Sequence, residues 1–263
     1  MNKTKIDWCD MTWNPVTGCL HDCPYCYARK IAQRFNGNSY GAIGIDMTQY
    51  GDTQNMHKLE DPHETCHPNH HWRRATFPFG FDPTFHRYRL NEPKEINKPK
   101  NIFVCSMADL FGSWVPEEWI KEVFKACEAA PQHNYLFLTK NPDRYIELYE
   151  KKLFPYKENY WFGTTVTKNA DRFVWIHGTP YKCFLSIEPL MEPLESLYKI
   201  SNFNWVIIGA ETGNRKERII PKREWIEEIA FECKKANIPI FMKESLRGIM
   251  GKDMIQEYPE GMK

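Results

Sequence analysis

Tyr135-Leu136-Phe137-Leu138-Thr139-Lys140 decides the fold: four apolar residues run without interruption and end in two polar ones. A strand with one wet face alternates apolar and polar residues, whereas an unbroken run suits a strand covered on both faces, as in a parallel sheet. The unit recurs at Ile102-Phe103-Val104, at Trp161-Phe162 continuing to Val166, and at Cys183-Phe184-Leu185. It returns at Trp205-Val206-Ile207-Ile208 and at Ile238-Pro239-Ile240-Phe241-Met242. Between the runs, 116–129 sets Trp119, Ile120, Val123, Phe124 and Cys127 on one helical stripe, and 221–236 does so with Trp225, Ile226, Ile229, Ala230 and Cys233. Pro116 and Pro221 open these stretches at an expected first helical position, where a missing N–H costs nothing. Strand and helix alternating in this way give a β/α barrel or an open doubly wound sheet.

Upstream of the regular part stands Thr17-Gly18-Cys19-Leu20-His21-Asp22-Cys23-Pro24-Tyr25-Cys26-Tyr27. Three soft ligands this close together ask for a metal. Cys19, Cys23 and Cys26, at intervals of four and three residues, let one tight loop wrap a compact inorganic core. Holding a four-iron cluster, three thiolates would leave one iron open to a non-protein ligand. The same thiols with His21 would also satisfy tetrahedral zinc, and unligated cysteines are common in reduced proteins. The spacing, the aromatic Tyr25 before the last thiol, and a helix-like 27–35 favour iron and sulfur. Cys9 reads as a small buried residue or an additional ligand. A thiol loop placed before the first regular unit favours the barrel. The expected fold is α/β: a partial (β/α)6-7 TIM-like barrel of mostly parallel strands with an irregular, His-rich insertion. One domain spans 1–263, with 36–89 as insertion or lid and 246–263 as a C-terminal extension that caps the barrel.

In such a barrel, chemistry sits at the carboxyl ends of the strands. Those ends are polar six times in succession: Ser106 and Asp109; Thr139 and Lys140; Thr164, Thr165 and Thr167; Ser186 and Glu188; Glu211 and Thr212; Lys243 and Glu244. One polar end means little, because exposed strand ends take polar residues. Six form a candidate rim. Glu211 and Lys243 read equally well as a structural ion pair across the mouth. Gly209-Ala210-Glu211-Thr212-Gly213 lacks the third glycine of a dinucleotide loop and follows five strands, so it is not read as one.

The pattern Cys-x3-Cys-x2-Cys with an aromatic before the last cysteine resembles the radical S-adenosylmethionine superfamily. Trp13-Asn14-Pro15-Val16-Thr17-Gly18-Cys19, Val104-Cys105-Ser106-Met107-Ala108-Asp109-Leu110-Phe111 and Ala130-Pro131-Gln132-His133 with Leu138-Thr139-Lys140 extend the resemblance. So do Leu185-Ser186-Ile187-Glu188-Pro189-Leu190 and Trp205-Val206-Ile207-Ile208-Gly209-Ala210-Glu211. Together they are similar to a phage-associated, radical-SAM-like family of unassigned function. The resemblance implies a 4Fe-4S cluster on Cys19, Cys23 and Cys26, S-adenosylmethionine as cofactor, and a flavodoxin- or ferredoxin-like one-electron donor. With such a cofactor, position at the strand ends gives Ser106 and Asp109 to the aminoacyl group and Thr164, Thr165 or Glu188 to the ribose, while Tyr25 or Tyr27 would stack beside the adenine. Thr139, Lys140 and Glu211 complete the expected cofactor rim.

Composition sets limits. A chain of 263 residues, 42% of them hydrophobic, can bury a full core. A net charge of +1 supplies no global field for long duplex nucleic acid. Nine cysteines without an apolar leader point to a reducing, cytoplasmic setting, and no stretch is long and apolar enough for a membrane span. The segment 36–74 is rich in Gly, Asn, Asp and Thr and holds His57, His63, His67, His70 and His71 with Cys66. It reads as a polar loop, as a cover contacting an anionic substrate with Arg73 and Arg74, or as a second metal site whose spacing matches no zinc pattern. His86-Arg87-Tyr88-Arg89 mixes base and aromatic as a phosphate or nucleobase contact does, and as a solvated connector also does. Two functions follow. One is a radical enzyme whose substrate is left open between a nucleotide or nucleic acid, with 57–89 as contact surface, and a peptide. The other is a non-enzymatic, zinc-dependent nucleic-acid-binding protein, which would not need the polar rim.

Overall fold

A computed structural model describes residues 1–35, 51–52, 56–66, 72–174 and 180–262, without the side chains of 51, 52, 65, 66 and 73. The chain opens with β1 (Asn2–Lys3), β2 (Met11–Trp13) and β3 (Val16–Thr17), then helix α1 (Tyr27–Arg34). Short strands follow: β4 (Gly51–Asp52), β5 (Met56–Leu59), β6 (Glu64–Cys66), β7 (Trp72–Arg74) and β8 (Thr84–His86). The regular part starts with β9 (Asn101–Val104), α2 (Glu117–Glu128), β10 (Asn134–Thr139), α3 (Asp143–Glu150) and β11 (Tyr160–Thr165). It continues with β12 (Lys182–Ile187), β13 (Trp205–Ile208), α4 (Arg223–Lys235), β14 (Ile240–Met242) and α5 (Arg247–Met250). All six unbroken apolar runs contribute strands. Pro116 is the extended N-cap of α2, and Pro221 precedes Lys222, the N-cap of α4. Each proline thus stands one or two positions before the expected place, where its fixed φ still directs the chain into the helix.

The central sheet has eight strands in the order β1-β2-β9-β10-β11-β12-β13-β14. β1 is antiparallel to β2, and the other six ladders are parallel. The protein is therefore mixed α/β with a mostly parallel central sheet. From β9 onward, spatial order equals chain order, without the reversal that marks a doubly wound sheet.

Side chains of these strands segregate by the two-residue period. Ile102, Val104, Tyr135, Phe137, Tyr160 and Phe162 join one helix-facing core with Val123, Phe124 and Cys127 of α2. Cys183, Leu185, Val206, Ile208, Ile240 and Met242 join a second with Ile226 and Ile229 of α4. The intervening residues Phe103, Leu136, Trp161, Phe184, Trp205 and Phe241 meet on the opposite face around Trp8. The Trp8 ring lies 4.8 Å from Phe103 and 6.2 Å from both Phe184 and Trp205. In a flat sheet β9 and β13, four ladder steps apart, would lie about 19 Å from one another. The sheet therefore curls around Trp8.

Among the described residues no ladder joins β14 back to β1 or β2. Instead, Asp7, ahead of β2, accepts from the backbone N of Glu244 at 2.6 Å and, through its carbonyl, from the Tyr258 hydroxyl at 3.0 Å. The outer edge of β14 is covered by the C-terminal extension: Met242 N donates to Ile255 O and Glu257 N to Ile240 O. Covering an edge in this way removes a template for unwanted pairing.

The described part of 36–89 is more ordered than its composition suggests. β3, β8, β5 and β4 form a second sheet, and β6 pairs with β7. Strands of two to four residues are too short to display a period, which is why the sequence reads as irregular. Of the candidate second metal ligands, His57 is buried in β5, 3.6 Å from Asp82 Oδ2 and stacked on Phe79. His67, His70, His71 and the Cys66 side chain lie outside the described residues. No described helix is long and apolar enough to cross a membrane.

Candidate functional site

The thiol loop starts where β3 ends. Gly18 continues the chain beside Ala108 as a parallel bridge, its N donating to Met107 O at 2.9 Å, while Cys19 N donates to Phe81 O. Only glycine fits here. Gly18 has φ +85°, and a Cβ would stand 2.2 Å from the Asp82 carbonyl oxygen. Gly18→Ala combines left-handed strain of about 1–2 kcal/mol with overpacking against backbone of about 1–3 kcal/mol, so a loss of about 2–4 kcal/mol is expected in denaturant titration. An unchanged midpoint would mean that the 79–82 turn is not seated on the loop.

Cys19, Cys23 and Cys26 are free and half-buried. Burial raises the Cys19 thiol to about 12, with smaller additions from Asp109, Cys23 and Cys26. Cys23 is raised by burial, against the pull of the Lys140 ammonium. The three sulfurs thus lie within electrostatic reach of one another. Cys26 also caps the N-terminus of α1, its Sγ accepting from Arg29 N at 3.3 Å. Among the described residues no group of three His, Cys, Asp or Glu forms the shell of a single ion.

Two straps hold the loop to the end of β10. His21 Nε2 lies 2.7 Å from Asp109 Oδ2, its ring edge-on to Trp114. Asp109 is buried and accepts from Phe111 N, from Thr139 Oγ1 and from Lys140 N. The Lys140 ammonium in turn donates to the Tyr25 hydroxyl at 3.2 Å and approaches its ring. Thr139 and Lys140 therefore hold Asp109, which meets the loop at His21, and Lys140 itself meets it at Tyr25. A third tie runs through Asn14, whose Oδ1 accepts from Ser106 Oγ and Met107 N, while Ser106 O accepts from the Tyr27 hydroxyl at 2.7 Å.

The expected rim is assembled only in part. Ser106, Asp109, Thr139, Lys140 and Tyr25 converge on the loop, but both oxygens of Asp109 are already engaged. Burial pushes the Tyr27 hydroxyl pKa up, and the Glu188 carboxylate, within electrostatic reach, adds to it. Glu188 pairs with the Lys243 ammonium. Both share a face with Phe184 and Phe241, and Gly209 makes room for them: a Cβ there would stand 3.0 Å from Lys243 Cδ and 3.2 Å from Glu188 Cγ. The ion pair on this face is thus Glu188 with Lys243, not Glu211 with Lys243. Glu211 is buried and gripped by Arg215 at 2.7 and 2.8 Å, which holds its carboxyl below the usual range and closes its own loop. Thr164 donates to Val174 O on the helix side of the sheet, away from the curled face, whereas Thr165 shares the parity of Trp161. Asn14 and the His21–Asp109 contact were not assigned from sequence, because their roles arise from contacts across 88 and more residues. A groove of about 770 Å³ between 197–202 and α4, lined by Tyr198, Phe231 and Glu228, shares no residue with this site.

A mixed α/β protein with a curled parallel sheet and three free thiols at the carboxyl ends of its strands is the class that fold and site define. A family model described as "Protein of unknown function (DUF5131)" matches residues 3–250, and the chain belongs to that family. No curated protein and no solved structure matches it.

Proposed function

We propose that this protein is a radical S-adenosylmethionine enzyme on an incomplete β/α barrel of six or seven strands. The observation that carries the reading is the position of the three free thiols, on one loop at the carboxyl ends of parallel strands that follow one another in chain order. Curling around Trp8 and the bridging of the two sheet edges through Asp7 support the barrel.

The donor set fits a four-iron cluster. Cys19, Cys23 and Cys26 would hold it, and cation binding would overcome the burial that now keeps Cys19 protonated, because a coordinating thiol is deprotonated outright. When bound and reduced by a flavodoxin- or ferredoxin-like donor, the cluster supplies the electron that splits S-adenosylmethionine into methionine and a 5′-deoxyadenosyl radical able to take hydrogen from substrate. The protein's own part is positioning and shielding. Lys140 offers a cation near Cys23; Ser106 Oγ, Thr165 and Glu188 offer polar partners for the cofactor. The aromatic floor of Trp8, Phe103, Phe184 and Trp205 excludes water below them.

Anaerobic reconstitution with iron and sulfide is expected to give a brown protein that, with dithionite and S-adenosylmethionine, yields 5′-deoxyadenosine. Cys26→Ala should yield none. Cluster-replete protein that makes no more than this variant would sink the proposal, and a colourless protein that retains zinc would replace it with the metal-dependent binding module.

A further inference from the structure

Joined through Asn14 to the 105–111 turn that holds the thiol loop is a group of residues that neither the cluster nor the cofactor rim uses. The Tyr88 ring has two guanidinium groups against it, Arg74 at 5.4 Å and Arg89 at 5.4 Å. Arg89 is fixed in place: Nε donates to the Tyr88 hydroxyl at 3.3 Å, Nη1 to Asn14 O at 2.9 Å and Nη2 to Thr76 O at 3.4 Å. Arg87, between them in sequence, is neutralised by Glu60 and Glu122. Arg74 and Arg89 are not: among the described residues neither makes an ion pair, although Glu64 stands directly across the ladder from Arg74. Trp72, two residues before Arg74 on β7 and so on the same strand face, is 69% exposed.

Exposed indole, stacked guanidinium groups and uncompensated positive charge are the components with which proteins grip single-stranded nucleic acid: phosphates meet the cations, and bases stack on aromatic faces. Asn14 connects this surface to the thiol loop, since it accepts from Arg89 through its carbonyl and from Ser106 and Met107 through its side chain. The overall charge of +1 argues against a long duplex, whose affinity is built from many phosphate contacts.

We propose that Trp72, Arg74, Tyr88 and Arg89 bind a short single-stranded stretch of nucleic acid and present it to the thiol loop. As the place where substrate is held, this surface rests on the radical-enzyme reading; as a binding surface it does not.

The test is fluorescence anisotropy on the cluster-loaded protein under anaerobic conditions. The probes are labelled single strands (homothymidine and homouridine), the corresponding duplex, and an oligoglutamate of equal charge. The single strands are expected to bind in a salt-dependent manner, ahead of duplex and oligoglutamate. Trp72→Ala should weaken them by about 5- to 150-fold, the value of one stacked base. Arg74→Ala should weaken them and flatten the salt slope by about 0.7, one single-strand phosphate contact. Trp72 and Arg74 are exposed, so both variants should keep the wild-type melting temperature. Single strands that fail to bind, oligoglutamate or duplex that binds as well, or variants that bind unchanged each overturn the proposal. Anisotropy reads binding without turnover. A strand that binds while no 5′-deoxyadenosine forms leaves the surface standing and removes the radical reading, and 5′-deoxyadenosine without strand binding does the reverse.

Discussion

Asp109→Ala is expected to lower stability by about 3 kcal/mol and the melting temperature by about 6–12 °C, because several buried donors lose their acceptor together. Those donors are Phe111 N, Thr139 Oγ1 and Lys140 N, with His21 Nε2 completing the set. Among the described residues this carboxylate joins the 105–111 turn, the end of β10 and the thiol loop, so its loss should reach further than one bond. Iron retained after reconstitution should fall with it, since His21 sits midway between Cys19 and Cys23. Asp109→Asn keeps one acceptor oxygen but turns an amide N–H against donors, and should lie between wild type and alanine. A loss below about 0.5 kcal/mol, the range of ordinary surface substitutions, would show that the loop is held elsewhere. Scanning calorimetry and iron analysis of the same samples separate the two effects.

The strands of the regular part are legible in the sequence for a simple reason. Each carries three or more buried positions in a row, and a run such as Trp205-Val206-Ile207-Ile208, four buried residues in so short a span, suits a strand covered on both faces. β2 and β3 are three and two residues long, too short to show a period of their own. The second sheet escapes for the same reason, and because its order depends on partners distant in sequence, such as β3 with β8. At the site, residue identity was easier to read than residue facing. Thr164 and Thr165 look equivalent beside an apolar run, yet the two-residue period sends Thr164 to Val174 O and Thr165 to the curled face. The same parity, counted from Phe184 and Phe241, brings Glu188 and Lys243 together, whereas Glu211 stands three residues past the end of β13, where parity no longer governs, and is held by Arg215. Asp109 could be recognised as a polar residue after a strand. That its oxygens serve the backbone and His21 depends on the turn after Cys105, which no local pattern encodes.

The Glu188–Lys243 pair provides the other large effect. Lys243→Met leaves the Glu188 carboxylate facing Gly209 and the aromatic floor without its ammonium. Stranding one member of a fully buried pair costs about 3–5 kcal/mol. These side chains keep 17% and 27% exposure, so solvent takes up part of the charge and a loss of about 1–3 kcal/mol is expected. Glu188→Gln should cost less, because the longer lysine can reach solvent while the glutamine still fills the space beside Gly209. The double variant Glu188→Gln/Lys243→Met should recover most of the lysine loss, giving a coupling of about 1 kcal/mol or more in a double-mutant cycle. Stability alone would not distinguish a pair that merely closes the mouth from one whose carboxylate also serves the cofactor. Isothermal titration of S-adenosylmethionine into the cluster-loaded variants does. If Glu188 meets the ribose, Glu188→Gln weakens binding while Lys243→Met, which frees the carboxylate, weakens it less. If the pair is structural only, the two variants bind the cofactor equally. A coupling near zero, with both single variants as stable as wild type, would remove the pair as an element of the mouth and leave Gly209 without a steric reason to be glycine.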